Sequence, residues 1–262
     1  MLPAIAALGA AAIGAALLRE RRRRSTAERL GAAALETLLN AVDANDSVTG
    51  AHVRRVAAVA LVLADAAGVD ERERRTVERV ALFHDIGKIH EALFDILHDT
   101  DSLSPEERSA VATHPQRGSD VLEPLEAFYP ELCDGVLAHH ERWDGSGYPR
   151  GIKGRRIPLA ARIVALADAY DAITHSRRYS VAKSEETAAD LILAGRGTQF
   201  DPELVDLFLM PPILDEIGRA REAAHKPRER GARRRQRQAH HAPDVRFRWR
   251  SAGREQQSPG PR

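Results

Sequence analysis

Apolar residues recur along most of the chain at intervals of three and four, the spacing of one face of an α-helix. The first such run begins at Ser25-Thr26-Ala27-Glu28, a Ser-x-x-Glu capping box, and continues through Leu30, Leu35, Leu38 and Leu39 toward an end near Asp43. Val53, Val56, Ala57, Ala60, Leu61 and Ala64 mark a second helix that Gly68 stops. Asp70 can cap a third, running through Val77 and Val80 to Ala81-Leu82-Phe83. Ser104-Pro105-Glu106-Glu107 supplies a cap, a proline at the first helical position and acids in the first turn. Pro130 opens a helix reaching His139-His140, Pro158 opens one through Asp168 to about Thr174, and Ser184 starts one that Gly195 closes. Between His140 and Pro158 the chain holds too much Gly and Pro for regular helix and is predicted to be a structured loop. No segment alternates with the period of a strand, so the predicted fold class is all-α.

Composition agrees with that pattern. Aromatic residues make up 5% of the chain against a heavy load of Ala, Leu, Arg and Glu, which argues against a sandwich or barrel. The single cysteine, Cys133, excludes an intramolecular disulfide framework and a thiolate-rich metal site, so any metal must sit on nitrogen and oxygen. The net charge of +1 conceals three unlike parts: residues 19–24 carry +4, residues 25–218 carry −13 and residues 219–262 carry +10.

The ends therefore read as objects separate from the body. No charged residue occurs from Leu2 to Leu18, and Arg19 with Arg21 to Arg24 follows at once. Residues 1–24 thus suit a short membrane anchor with the body, residues 25–218, in the cytoplasm. The competing reading is a packed or floppy helix, because the run is mostly Ala and Gly with Pro3 near its start. Residues 219–262 read as a disordered basic tail able to lie on an anionic membrane surface, although a charge run is more often a solvated end and specific nucleic-acid binding is not expected.

The chemistry gathers in the body. His52, His84, His114, His139 and His140 fall where a helix signal meets an acid or a second histidine. His84 is followed by Asp85, and neighbours on a helix point about 100° apart, so the carboxylate can bridge to a second ion while the imidazole serves the first. Asp168 interrupts the apolar run Ile163-Val164-Ala165-Leu166-Ala167, where an acid needs a partner that offsets its desolvation. Two ions about 3.5 to 4 Å apart lower the pKa of a shared water and neutralise phosphate oxygens, which makes a nucleophilic side chain unnecessary. Lys88 supplies a point charge for a phosphate, and Asp144 or Asp171 can orient a ligand imidazole.

Phe83-His84-Asp85-Ile86-Gly87-Lys88 and His139-His140-Glu141-Arg142-Trp143-Asp144-Gly145-Ser146-Gly147-Tyr148-Pro149 closely resemble the HD-GYP branch of the HD phosphohydrolases. Further blocks, in order, are Thr49-Gly50-Ala51-His52, His114-Pro115 with Gly118, Ile157-Pro158-Leu159-Ala160-Ala161-Arg162-Ile163, Asp168-Ala169-Tyr170-Asp171-Ala172-Ile173-Thr174 and Gly197-Thr198-Gln199-Phe200-Asp201-Pro202. The resemblance implies an HD-domain helical bundle with a C-terminal helical extension, two or three metal ions, usually iron or manganese, and hydrolysis of cyclic di-GMP to pGpG or GMP. It implies His84, Asp85, His114, His139, His140 and Asp168 as metal ligands, with Asp85 as the bridge and His52 matching the first histidine of the wider pattern. Lys88 would meet the substrate phosphate. The position of the extra glutamate of three-metal members is Val48 here, which favours two ions.

Two segments depart from the resemblance. Ile89-His90-Glu91-Ala92-Leu93-Phe94-Asp95-Ile96-Leu97 replaces a Gly-Ile-Pro-like stretch, and Arg177-Arg178-Tyr179 stands where Arg-Pro-Tyr is usual. Both flank the pocket, with Arg178 a candidate substrate contact, so they bear on the substrate more than on the metal. Gly147, Tyr148 and Pro149 either shape a turn beside the substrate or offer a docking surface to a diguanylate-cyclase-type domain. Three functions stay open: a cyclic di-GMP phosphodiesterase, a hydrolase of another nucleotide, and a non-catalytic signalling module.

Overall fold

The computed structural model of the chain describes residues 26, 29–41, 47–89, 104–175 and 182–225. Among these, every element longer than an isolated bridge is helical. In chain order they are α1 (residues 29–41), α2 (Ser47–Ala66), α3 (Glu71–Phe83), a 3-10 turn (Ile86–Ile89), α4 (Pro105–Val111), α5 (His114–Leu122), a second 3-10 turn (Glu123–Leu125), α6 (Pro130–Ala138), a third 3-10 turn (Gly154–Arg156), α7 (Leu159–Thr174), α8 (Glu185–Ala194), α9 (Pro202–Phe208) and α10 (Pro211–His225). The readings of an anchor in 1–24, of a Ser25 cap and of a substrate contact at Arg178 fall outside the described residues, as do residues 90–103 and the chain after His225. Among the described residues no helix is long and apolar enough to cross a membrane.

Three of the caps read from the sequence are in place. The Asp70 side chain accepts from the Glu73 amide and Ser184 from the Thr187 amide, while Ser104 and Glu107 satisfy each other's backbone N–H in a reciprocal capping box. Each cap of this kind is worth about 1 kcal/mol. The core centres on α2 and α7: Val53, Val56, Val59, Ala60 and Leu63 are buried on the first, and Ile163, Val164, Leu166, Ala167 and Tyr170 on the second. α2 packs against α3, α7 and α10, and α7 also touches α3, α6 and α8. Burial on several sides explains why α7 has so few polar residues, and why its two central carboxylates, Asp168 and Asp171, must find partners inside the protein.

Three glycines set how closely the histidine-bearing segments approach. A Cβ on Gly135 of α6 would lie 2.4 Å from Cγ2 of Val80 on α3. A Cβ on Gly87 would lie 2.1 Å from the His114 carbonyl oxygen, and one on Gly118 would press on Val136 at 3.1 Å. The missing side chains let the ends of α3 and α6 and the start of α5 converge.

The body does not end at Gly218. α10 continues through it to His225, with Ile217 fully buried and Ala220 packed on the core. The apolar positions Ile213, Leu214, Ile217 and Ala220 keep helical spacing, a pattern masked in the sequence by the basic composition that follows.

Candidate metal centre

His84 caps the C-terminus of α3, His139 that of α6, and His114 follows the end of α4. Each returns its Nδ1 to a carbonyl three residues back: Ala81 at 2.8 Å, Val136 at 2.6 Å and Val111 at 2.7 Å, respectively. A carbonyl of a last helical turn lacks an intrahelical donor, so it takes the Nδ1 hydrogen and leaves a bare lone pair on Nε2. Burial holds the pKa values of His84 and His139 below the ordinary imidazole value, so these rings are neutral.

The three lone pairs converge on Asp85. His84 Nε2 lies 3.5 Å from Asp85 Oδ2, and His114 Nε2 lies 3.3 Å from Oδ1 and 3.1 Å from His139 Nε2. His84 Nε2 is buried without a hydrogen-bond partner among the described residues. Lone pairs facing lone pairs around a buried carboxylate repel one another, and a cation removes that conflict. The site therefore fits a metal ion. Asp85 is 7% exposed; burial alone would raise its pKa, but the Lys88 ammonium, 2.7 Å from both carboxylate oxygens, holds it well below the usual range.

Ligand atoms fall into two overlapping groups, Asp85 with His114, His139 and His140, and Asp85 with His52 and His84. Asp85 is common to both. Burial lowers His140 to about 3, and its ring stacks on Tyr148 with centroids 5.0 Å apart. On the other side, His52 Nε2 lies 3.3 Å from Asp168 Oδ1 and 3.9 Å from Asp85 Oδ2. Its Nδ1 donates to Asp171 Oδ2 at 2.7 Å, and Arg55 grips Asp171 with Nε at 2.7 Å and Nη2 at 2.9 Å. Asp171 is fully buried and thus acts as the carboxylate that orients His52. Asp144 has no such role: it accepts from Ser146 and pairs with Arg142 within its own loop.

The loop after His140 is held from beneath. Glu141, 3% exposed, accepts the amides of Arg150 and Ile152, at 2.7 and 3.1 Å. Gly147 lies against the backbone: a Cβ there would be 2.3 Å from the Arg142 nitrogen and 2.6 Å from the His140 oxygen. The glycine therefore shapes the turn, while Tyr148 and Pro149 are exposed beside His140.

The profile of the HD domain matches residues 36–204. The chain belongs to the HD domain family. This HD domain is 38% identical over 192 residues to the cyclic di-GMP phosphodiesterase response regulator RpfG of Xanthomonas campestris, covering 72% of this chain and 48% of that one. It is 37% identical over 174 residues to a 3'3'-cGAMP-specific phosphodiesterase of Vibrio cholerae, covering 66% and 33%. The chain thus spans between a third and a half of these relatives. Among solved structures, the HDG"Y"P protein Bd1817 of Bdellovibrio bacteriovorus superposes with a TM-score of 0.53 at 21% identity, covering 73% of this chain and 62% of the other. That likeness bears on the all-helical fold.

The HD domain carries a charge consequence at His52. Burial would lower its pKa, but hydrogen bonds to Asp168 and Asp171 outweigh this and push it up to about 9. A raised histidine stabilises the folded state below its unfolded value of 6.5 and loses that contribution as pH rises through about 9. The metal-free protein is therefore expected to lose stability to urea between these values, and His52→Gln to flatten the profile. An unchanged profile in the variant would show that His52 is not the group responsible.

Proposed function

We propose that this chain hydrolyses a cyclic dinucleotide, cyclic di-GMP by preference, to pGpG and then GMP. It would hold two divalent transition-metal ions, iron or manganese, on His84, Asp85, His114, His139, His140 and Asp168, with His52 beside them. The observation that carries this reading is the sharing of Asp85 by two ligand groups, with His84 Nε2 buried and without a hydrogen-bond partner among the described residues. When bound, such ions activate water and neutralise phosphate oxygens. The chain's own residues do the rest. Lys88, about a quarter exposed, keeps its ammonium at the edge of the cluster as a point charge for phosphate. The Tyr148 ring stacks on His140 and stays partly exposed beside it.

The deciding experiment incubates anaerobically purified, iron- or manganese-loaded protein with cyclic di-GMP, 3'3'-cGAMP, cyclic di-AMP and linear nucleotides. Chromatography is expected to show pGpG rising and then falling as GMP accumulates. A second reading, 3'3'-cGAMP as substrate, is favoured by the near-equal identity to the cyclic di-GMP and 3'3'-cGAMP enzymes. Intact cyclic di-GMP beside cleaved 3'3'-cGAMP would replace the first reading with the second. Lys88→Ala is expected to keep both ions and lose roughly a hundredfold in rate, the scale for removing one electrostatic contact to a developing charge. Metal loss in that variant would make Lys88 a structural partner of Asp85 only.

A further inference from the structure

The last described helix, α10, reaches the candidate metal centre through one arginine. Arg221 lies on α10 in a basic stretch, yet its side chain is only 11% exposed. Its Nη2 donates to Thr174 Oγ1 at 2.8 Å and sits 3.0 Å from His175 Nδ1, both at the end of α7. Its Nη1 lies 3.5 Å from Glu185 Oε1, and the guanidinium covers the Tyr170 ring at 4.8 Å. The Arg221 Nε is buried without a hydrogen-bond partner among the described residues. Such burial costs free energy, so the other contacts must outweigh it and hold the side chain in this one place.

His175 Nδ1 has a second neighbour, Asp171 Oδ1 at 3.2 Å. In a neutral ring that nitrogen carries either a hydrogen or a lone pair. Facing an Arg221 N–H it must present the lone pair, so it has no hydrogen to give to Asp171. Asp171 then keeps Oδ1 for Arg55 Nε and Oδ2 for Arg55 Nη2 and His52 Nδ1.

We infer that Arg221 is a positioning residue of the metal centre: by occupying His175 and the end of α7, it leaves Asp171 committed to His52, whose Nε2 then faces Asp85 and Asp168. The inference rests on the metal-binding reading proposed above and places α10 within the machinery of the site. Arg221 touches no candidate ligand, so its effect must pass through His52.

Mn(II) binding to the full chain tests this, with free Mn(II) read by electron paramagnetic resonance. Arg221→Ala is expected to weaken the weaker Mn(II) step roughly tenfold, the scale for losing a partner that orients a ligand. Exposed Arg219, on the same helix, should change nothing when replaced by Ala. In a His52→Ala background, Arg221→Ala should have no further effect. Should Arg221→Ala fail to fold, Arg221→Lys keeps the charge and the packed stem while giving up the fork, and is expected to show a milder loss that also disappears with His52→Ala. Wild-type Mn(II) binding in whichever Arg221 variant folds, or an equal loss with and without His52, would overturn the inference. A wild-type chain that binds no Mn(II) would instead sink the metal-binding reading itself.

Discussion

Asp85→Ala is expected to abolish hydrolysis and to leave less than one metal ion per chain. Asp85 is common to both ligand groups, so its loss removes an oxygen from each at once. Of the histidines that remain, His84 and His139 are held neutral by burial, and His139 brings its Nε2 within 3.1 Å of that of His114. Without the carboxylate they offer no negative charge to offset that of two divalent ions. The loss should exceed the roughly 10- to 100-fold cost of removing an outer partner of a ligand. Folding should survive, because Lys88, the cation hydrogen-bonded to Asp85, is exposed enough to regain water. Elemental analysis beside a rate measurement reads both effects. Retention of two ions in Asp85→Ala would exclude Asp85 as the shared ligand.

Gly87→Ala is expected to unfold the protein at a temperature several degrees lower and to remove most of its activity. The added Cβ would stand 2.1 Å from the His114 carbonyl oxygen and 2.6 Å from the Gly118 nitrogen, both main-chain atoms. Neither can rotate aside, so the start of α5 must retreat and take the His114 imidazole with it. Forced overpacking typically costs about 1–3 kcal/mol, or roughly 2–4 °C per kcal/mol in a domain of this size. Misplacing a ligand by about 1 Å can cost on the order of a hundredfold in rate. Gly218→Ala is the control: nothing lies within 4 Å of its Cβ position in α10, and the exchange should stabilise by about 0.5–1 kcal/mol. Thermal unfolding of both variants separates them. Equal melting temperatures for Gly87→Ala and the wild type would show that α5 yields without strain.

What the sequence displayed, and what it hid, follows from range. Helix starts were legible because caps are local: Asp70, Ser104 and Ser184 act within their own first turns. His84-Asp85 and His139-His140 were legible because adjacent donors with an acid are rare on an apolar helix. The roles of Gly87 and Gly118 were not, since a close approach depends on a segment elsewhere in the chain. Glu141 stood within a quoted motif, but its two bonds reach residues nine and eleven positions on, through a loop whose path no periodicity describes. Asp144 and Asp171 looked equivalent as orienting carboxylates; only burial separates them, and burial is a property of the packed core. Arg221 was hidden by composition, because a basic run masked the apolar spacing that carries α10 past Gly218.

The three histidines that return Nδ1 to the carbonyl three residues behind them have a consequence for how such a protein can diversify. Their aim is set by where three helices end, so the connecting loops are spared the task of aiming these three imidazoles. Mutations can then accumulate in those loops while the arrangement of the three imidazoles is inherited intact. Drift in the loops and permanence of that arrangement become separable properties of one chain.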